Sequence, residues 1–233
     1  MITTIPTGNE EVDRQIGGGL PVPCLMVIEG EHGTGKSTMA AQFMSGMLTS
    51  KRKVLCITEN NVKDYIEKMK TITFNFTTPF LQNRLTIVPL HVYGATWSQK
   101  LSSQLLPVIG RYISVNAKNT DCVVIDSLSL LTMYSDADQI LDFVSRCKYL
   151  VSIGVTIILT MHSGSMSQEV GMRIKSACDI YFTLSTSSLA GKTIKVMKII
   201  KLLGSSSQFE SSFAFEVDAI FGIKIVPISS ANT

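Results

Sequence analysis

Nine residues, GEHGTGKST at positions 30–38, constrain the fold of this 233-residue chain more than any other stretch. Glycines at 30, 33 and 35 let the backbone curl within the segment. The apolar run CLMVIEG (24–30) ends on the first of them, and a helix-compatible run begins at Lys36. Strand, glycine loop and helix in that order let successive backbone N–H groups point at one anion, with the partial positive charge of the helix N-terminus added. The letters fit G-x-x-x-x-G-K-[ST], a pattern that assigns side chains as well as backbone. Lys36 reaches toward β- and γ-phosphates, and the Ser37 hydroxyl takes one position on Mg²⁺. Gly30, Glu31, His32, Gly33, Thr34, Gly35 and Thr38 complete the loop, and the expected ligand is ATP with Mg²⁺.

The rest of the chain repeats the strand-then-helix theme. Apolar runs at 53–59, 85–90, 121–126 and 154–161 alternate with helix-length stretches at 36–48, 62–70, 97–115, 136–151 and 170–177. Near-continuous apolar strands between helices specify an α/β fold, a mostly parallel twisted sheet covered on both faces. After Asp179 the rhythm changes. IYFTLS, TIKVMKIIKL, SSFAFEVD and FGIKIVP follow one another across Ser/Gly-rich turns, and consecutive antiparallel strands extending one edge of the sheet are expected. Segment 71–83, TITFNFTTPFLQN, mixes strand-like and loop-like features and stays unassigned. No linker, repeat or low-complexity tract divides the chain, so residues 1–233 are expected to form one domain.

Composition narrows the class. The chain is 45% hydrophobic with a mean hydropathy of +0.27, yet its longest uncharged run, 149–168, is apolar only in its first half. That falls short of the roughly 20 consecutive apolar residues of a membrane span. The start, MITTIPTGNEEVD, has no basic region followed by an apolar core, so no signal peptide is expected. Five cysteines without CxxC or metal-ligand spacing read as reduced, buried thiols of a cytosolic protein. A net charge of +3 is too mild to indicate a polyanion partner.

Further candidates stand at strand ends. Asp126 closes the apolar run CVVID and, with Ser127, falls at the edge where α/β sheets bind ligands. It is the expected metal carboxylate; the plainer reading is a cap on the next helix. Hydrolysis also needs a group that orients water and a charge that offsets the transferring phosphoryl group. Glu59 is the catalytic candidate for the first role, on the premise that its strand lies next to the one before the glycine loop. A solvated strand-end carboxylate is its alternative. No arginine stands out for the second role: Arg52, Arg84, Arg111, Arg146 and Arg173 fall in turns or helix-like segments. His162 ends the strand after Asp126, where it could sense a γ-phosphate or simply occupy a turn. Lys192, Lys195, Lys198 and Lys201 recur every three residues, which suits neither a strand face nor a sustained helix face, so in a strand they must split between faces. Solvated edges are the plain account, and Lys201 approaching a nucleotide held by a neighbouring subunit is the functional one.

Several segments, taken in order, resemble the RecA-like ATPases of the KaiC type. TGNEEVDRQIGGGLP looks like that family's TG-x-x-x-x-D-x-x-x-GGG-x-P lead-in, with Thr7, Gly8, Asp13, Gly17, Gly18, Gly19 and Pro21 in place. GEHGTGKST, ITEN, CVVIDS, SACDIYFTL and FEV…FGIKIVP follow, so the resemblance covers nearly the whole chain. It implies a RecA-like P-loop NTPase core that binds ATP and Mg²⁺. Within the group, the single short domain and its loop look most like the ATP-binding subunits of the archaellum motor. That likeness implies a cytoplasmic protein, peripheral at the cytoplasmic face of a membrane-embedded motor. Its implied partners are the motor ATPase, a membrane platform protein, a ring scaffold protein and further copies of itself in a homo-oligomeric ring.

Two departures from the family pattern bear on activity. The paired glutamates often found after the second strand align with Glu59 and Asn60, so one remains. The K-x-R-G segment, whose Lys and Arg reach the adjacent subunit's nucleotide, reads Lys201-Leu202-Leu203-Gly204. An arginine finger is worth about 10³–10⁵ in turnover, and leucine cannot offset developing negative charge. ATP binding with slow or no hydrolysis is the expected behaviour. Two other functions share the core. A RecA-type, DNA-stimulated ATPase needs a basic or aromatic loop to follow single-stranded DNA, and SGSMSQEVG after His162 has no Lys, Arg or aromatic residue, so no nucleic acid is expected. A signalling ATPase or kinase of the KaiC type is the other alternative, although the chain is too short for the duplicated form and nothing marks a phosphorylation site.

Overall fold

The computed structural model describes residues 2–90, 98–189 and 191–227. Strand β1 (Thr3–Ile5), helix α1 (Glu10–Gln15) and strand β2 (Leu20–Val22) come first, β1 and β2 pairing antiparallel in a small sheet. The main sheet opens with β3 (Leu25–Gly30), followed by α2 (Lys36–Thr49), β4 (Val54–Thr58), α3 (Val62–Lys70), α4 (Thr77–Leu81) and β5 (Leu85–Pro89). Next come α5 (Gln99–Asn116), β6 (Cys122–Asp126), α6 (Leu128–Thr132), α7 (Ala137–Ser152), β7 (Thr156–His162) and α8 (Gln168–Ala177). Strands β8 (Ile180–Leu189), β9 (Lys192–Leu202), β10 (Ser212–Asp218) and β11 (Gly222–Val226) finish the described chain. The large sheet is ordered β11-β10-β9-β8-β3-β7-β6-β4-β5.

The apolar runs become central strands because both of their faces are covered. Along β3, Met26 and Ile28 enter a core beneath α2 and α3, while Leu25 and Val27 enter a second core beneath α5, α7 and α8. Helix α2 is apolar almost all round, with Met39, Ala41, Phe43, Met44 and Met47 buried. Its outer side is covered too: the Gln42 amide donates to the Thr7 carbonyl at 2.8 Å, tying the N-terminal segment over the helix. The helix that carries the end of the glycine loop is therefore clamped between the sheet and the chain start. On the other face, α7 begins at a capping box formed by Asp136 and Gln139, which fixes where that helix starts.

The mostly parallel sheet with helices on both faces and antiparallel strands at one edge agrees with the expected arrangement, but two particulars differ. Strand β8 is not part of the antiparallel set on both sides: it pairs parallel with β3 and antiparallel with β9. Helix α8 explains this, since a crossover helix returns the chain to the start of the sheet before β8 begins. Strands β3 and β4 are not neighbours, because β7 and β6, reached later in the chain, lie between them. Segment 71–83 forms a turn and the short α4, with Phe74 and Phe76 buried in the α2-side core. The expected start of a helix at Trp97 lies outside the described residues, and α5 begins at Gln99.

Candidate functional site

Strands β3, β7, β6 and β4 end on one cavity of about 570 Å³. Strand register brings its walls together. Gly30 pairs with His162, and Thr58 pairs with Asp126, so the glycine loop, His162, Asp126 and Glu59 all leave the sheet along the same edge. His32, Gly33, Gly35, Lys36, Ser37, Thr38, Glu59, Asp126 and His162 line the cavity. The remaining loop residues shape it from behind: the Thr34 hydroxyl donates to the Glu31 carbonyl at 2.8 Å, and Gly30 packs against Leu184 of β8.

Helix α2 starts from Gly35, which sits at φ +96, with no side-chain cap and no acidic residue in its first turn. Its leading N–H groups and the positive end of its dipole are left for a ligand. Lys36 is 7% exposed. Its Nζ donates to the Gly30 carbonyl at 2.9 Å and the Glu31 carbonyl at 2.7 Å, and stands 3.3 Å from His162 Nδ1. Burial lowers the Lys36 pKa, and Asp126 opposes the shift. The His162 ring lies against His32, centroids 4.0 Å apart and planes tilted by 31°. Burial, then Lys36, then His32 pull the His162 pKa below its ordinary value, with Asp126 again opposing. One ammonium and two imidazoles thus crowd together where an anion would relieve them.

The metal side is built from β6 and β7. The Asp126 carboxylate accepts a hydrogen bond from the buried Thr160 hydroxyl at 2.7 Å, which fixes its orientation. It does not cap α6; the cap position there is Ser127, which makes no side-chain cap bond. Ser127 Oγ is buried without a hydrogen-bond partner and lines the cavity. Among the described residues no cluster of three His, Cys, Asp or Glu could hold a metal by itself. These features fit a metal–triphosphate. The free helix terminus and the orphaned hydroxyl offer donors, the nitrogen cluster calls for an anion, and Ser37 and Asp126, both on the cavity wall, would be the oxygens to hold Mg²⁺.

Of the expected residues, only Lys201 lies away from this site. Its ammonium donates to the Ser176 and Cys178 carbonyls at the C-terminal end of α8, and it pairs in register with Tyr181 near the start of β8. Glu59 reaches the cavity although the premise behind it fails. Its strand is next to β6, not β3, and the residue before it sits opposite Asp126. Asn60, Lys68, Lys195 and Val217 also line the cavity without having been expected there, and Ser127, expected only at the ligand edge beside Asp126, lines it too. Thr160 could have been noticed as a hydroxyl near the end of an otherwise apolar run; Lys195 carries no such local signal.

The family model described as "ATPase: KaiC" matches residues 5–230. The chain belongs to the KaiC-type ATPases. It is 39% identical over 226 residues to the archaeal flagellar ATP-binding protein FlaH of Sulfolobus acidocaldarius, covering 97% of each protein. The crystal structure of flagellar accessory protein FlaH from Methanocaldococcus jannaschii is similar with a TM-score of 0.84 at 20% identity, over 98% of this chain and 100% of that one. A KaiC-like protein from Pyrococcus horikoshii gives 0.75 at 22% identity, over 97% of this chain and 100% of that one. The sheet described above is therefore the RecA-like fold that these KaiC-type structures share.

Proposed function

We propose that this KaiC-type ATPase is an ATP·Mg²⁺-binding regulatory subunit of an archaellum motor, holding ATP tightly and hydrolysing it slowly or not at all. The observation that carries the reading is a cavity with every cis element of a phosphate site, in a chain with Leu203 where the family pattern has arginine. In this reading Lys36 turns from the loop carbonyls to the β- and γ-phosphates, and His162, backed by His32, meets the γ-phosphate. Ser37 and Asp126 hold Mg²⁺, and Glu59 faces the position of an attacking water. Held there by Ser37 and Asp126, Mg²⁺ would supply positive charge against the phosphates. Without a guanidinium from a neighbour, turnover falls by about 10³–10⁵.

The likeness to proteins named FlaH supports a place beside an archaellum's motor ATPase, membrane platform protein and ring scaffold protein, at the cytoplasmic face. Among the described residues no helix is long and apolar enough to cross a membrane. Leu203 is 52% exposed just beyond β9, and in a homo-oligomeric ring of the family's kind this position would face the adjacent copy's nucleotide. Nucleotide occupancy controls ring state or docking to the extent that ATP binds the two states with different affinity. A nucleotide-fate assay tests the core of this. Purified protein is incubated with ATP and Mg²⁺ while bound nucleotide and released phosphate are followed for an hour, beside Lys36→Ala. Intact ATP retained by the protein and not by Lys36→Ala is the expected result. Steady phosphate release that Glu59→Gln abolishes would overturn it.

A further inference from the structure

We propose that Lys195 is a second phosphate cation of this site, contributed by the antiparallel edge and placed to hold the α-phosphate side of a nucleoside di- or triphosphate. The assignment rests on the nucleotide-binding reading and deepens it. Lys195 lines the cavity from β9, the second strand from β3 on the side away from β7. Its stem lies on the glycine loop itself: Lys195 Cδ is 3.1 Å from where a Cβ on Gly35 would stand, and the Phe215 ring is 3.3 Å from the same point. The stem is thereby held against the start of α2 by contact with backbone and an aromatic ring.

The ammonium is uncommitted. Among the described residues no hydrogen bond or ion pair engages it, whereas Lys148 and Lys175 hold carboxylates and Lys201 holds carbonyls. A cation fixed by its stem beside an uncapped helix N-terminus, with nothing to pair with, is an arrangement completed by an anion.

The strand order decides which phosphate it meets. His162 on β7 and Asp126 on β6 lie on one flank of β3, and Lys36 leans toward them, 3.3 Å from His162 Nδ1. That flank takes the metal and the γ end of the phosphate chain. Lys195 lies on the opposite flank, against Gly35. A phosphate chain whose γ end is at His162 presents its α end to Lys195.

Lys195→Met tests this, because methionine keeps an unbranched stem against Gly35 and Phe215 and removes only the charge. Dissociation constants for ATP and for ADP, each with Mg²⁺, are measured by titration calorimetry on the full chain at several salt concentrations. Both should rise by about tenfold, leaving the ATP-to-ADP ratio unchanged and the salt dependence shallower. His162→Asn should instead weaken ATP more than ADP, and Lys195→Arg should restore binding. Affinities within about twofold of the unaltered protein, or a loss confined to ATP, would overturn the assignment. Binding of neither nucleotide by the unaltered protein would overturn the nucleotide-site reading itself and this assignment with it.

Discussion

Lys36 is a cation at 7% exposure, held by two carbonyl oxygens and by no ion pair among the described residues. Its replacement by methionine should separate the stability of the loop from its binding function. Deleting a buried donor costs about 1–3 kcal/mol when it orphans its acceptor. Here it orphans neither. The Gly30 carbonyl keeps the Ser163 N–H at 3.2 Å, and the Glu31 carbonyl keeps the Thr34 hydroxyl at 2.8 Å. A methionine stem keeps about the apolar burial that the lysine stem already has, and the desolvation that lowers the Lys36 pKa no longer acts on a charge. Lys36→Met should therefore change the stability of the nucleotide-free protein by between about zero and +1 kcal/mol, a rise in Tm of up to roughly 2–4 °C for a chain of this size. ATP·Mg²⁺ at 100 times Kd should stabilise the unaltered protein by about 2.7 kcal/mol and the variant not at all. Scanning calorimetry in EDTA, then in ATP and Mg²⁺, should show the order of the two melting temperatures invert. A nucleotide-free variant melting more than about 4 °C below the unaltered protein would refute the reasoning, since Lys36 would then be anchoring the loop rather than waiting for an anion.

Three further outcomes are expected. In the free site the His162 pKa lies below its ordinary value, and a bound triphosphate favours the protonated ring. ATP binding should thus take up a proton and tighten as pH falls from 8 toward 6, with the slope lost in His162→Asn; a flat profile by calorimetry in buffers of different ionisation heat would count against it. Gly30→Ala places a Cβ 2.6 Å from the Leu184 carbonyl and 2.7 Å from Thr34 Oγ1, so urea unfolding should show a loss of about 1–3 kcal/mol. Gly33→Ala meets nothing within 4 Å and bears only its φ of +76, a cost of roughly 1–2 kcal/mol, and the reverse ranking would place the strain elsewhere. Leu203→Arg should raise phosphate release by about 10³ in samples that light scattering shows to be assembled, and assembled protein with no such rise would argue against a missing finger.

What could be read from the chain alone follows the range of the interactions involved. The glycine loop, Lys36 and Ser37 are legible because one uninterrupted segment carries strand, turn and helix start. Asp126 is legible because hydropathy marks where a buried strand stops. Glu59 is reached by way of a wrong neighbour, since no local pattern encodes the order of parallel strands; it is the pairing of Thr58 with Asp126 that delivers it to the cavity. The lysines of β9 show the limit most clearly. Their spacing of three says only that they divide between faces, and a register shift opposite Tyr181 and Phe182 resets the alternation within the strand. Which lysine meets the loop depends on Lys195 lying opposite Thr186 while Leu184 lies beside Gly30, two long-range registers with no signature in any window of residues. The short elements β1, β2 and α6 escape for a related reason, because segments of three to five residues have too little local stability of their own and exist through packing. The division is also a functional one. In the proposed site the γ-phosphate end would be assembled by a local motif and the ends of buried strands, whereas its opposite end would depend on the antiparallel edge, so substitutions that loosen β8–β9 pairing should weaken ADP as much as ATP.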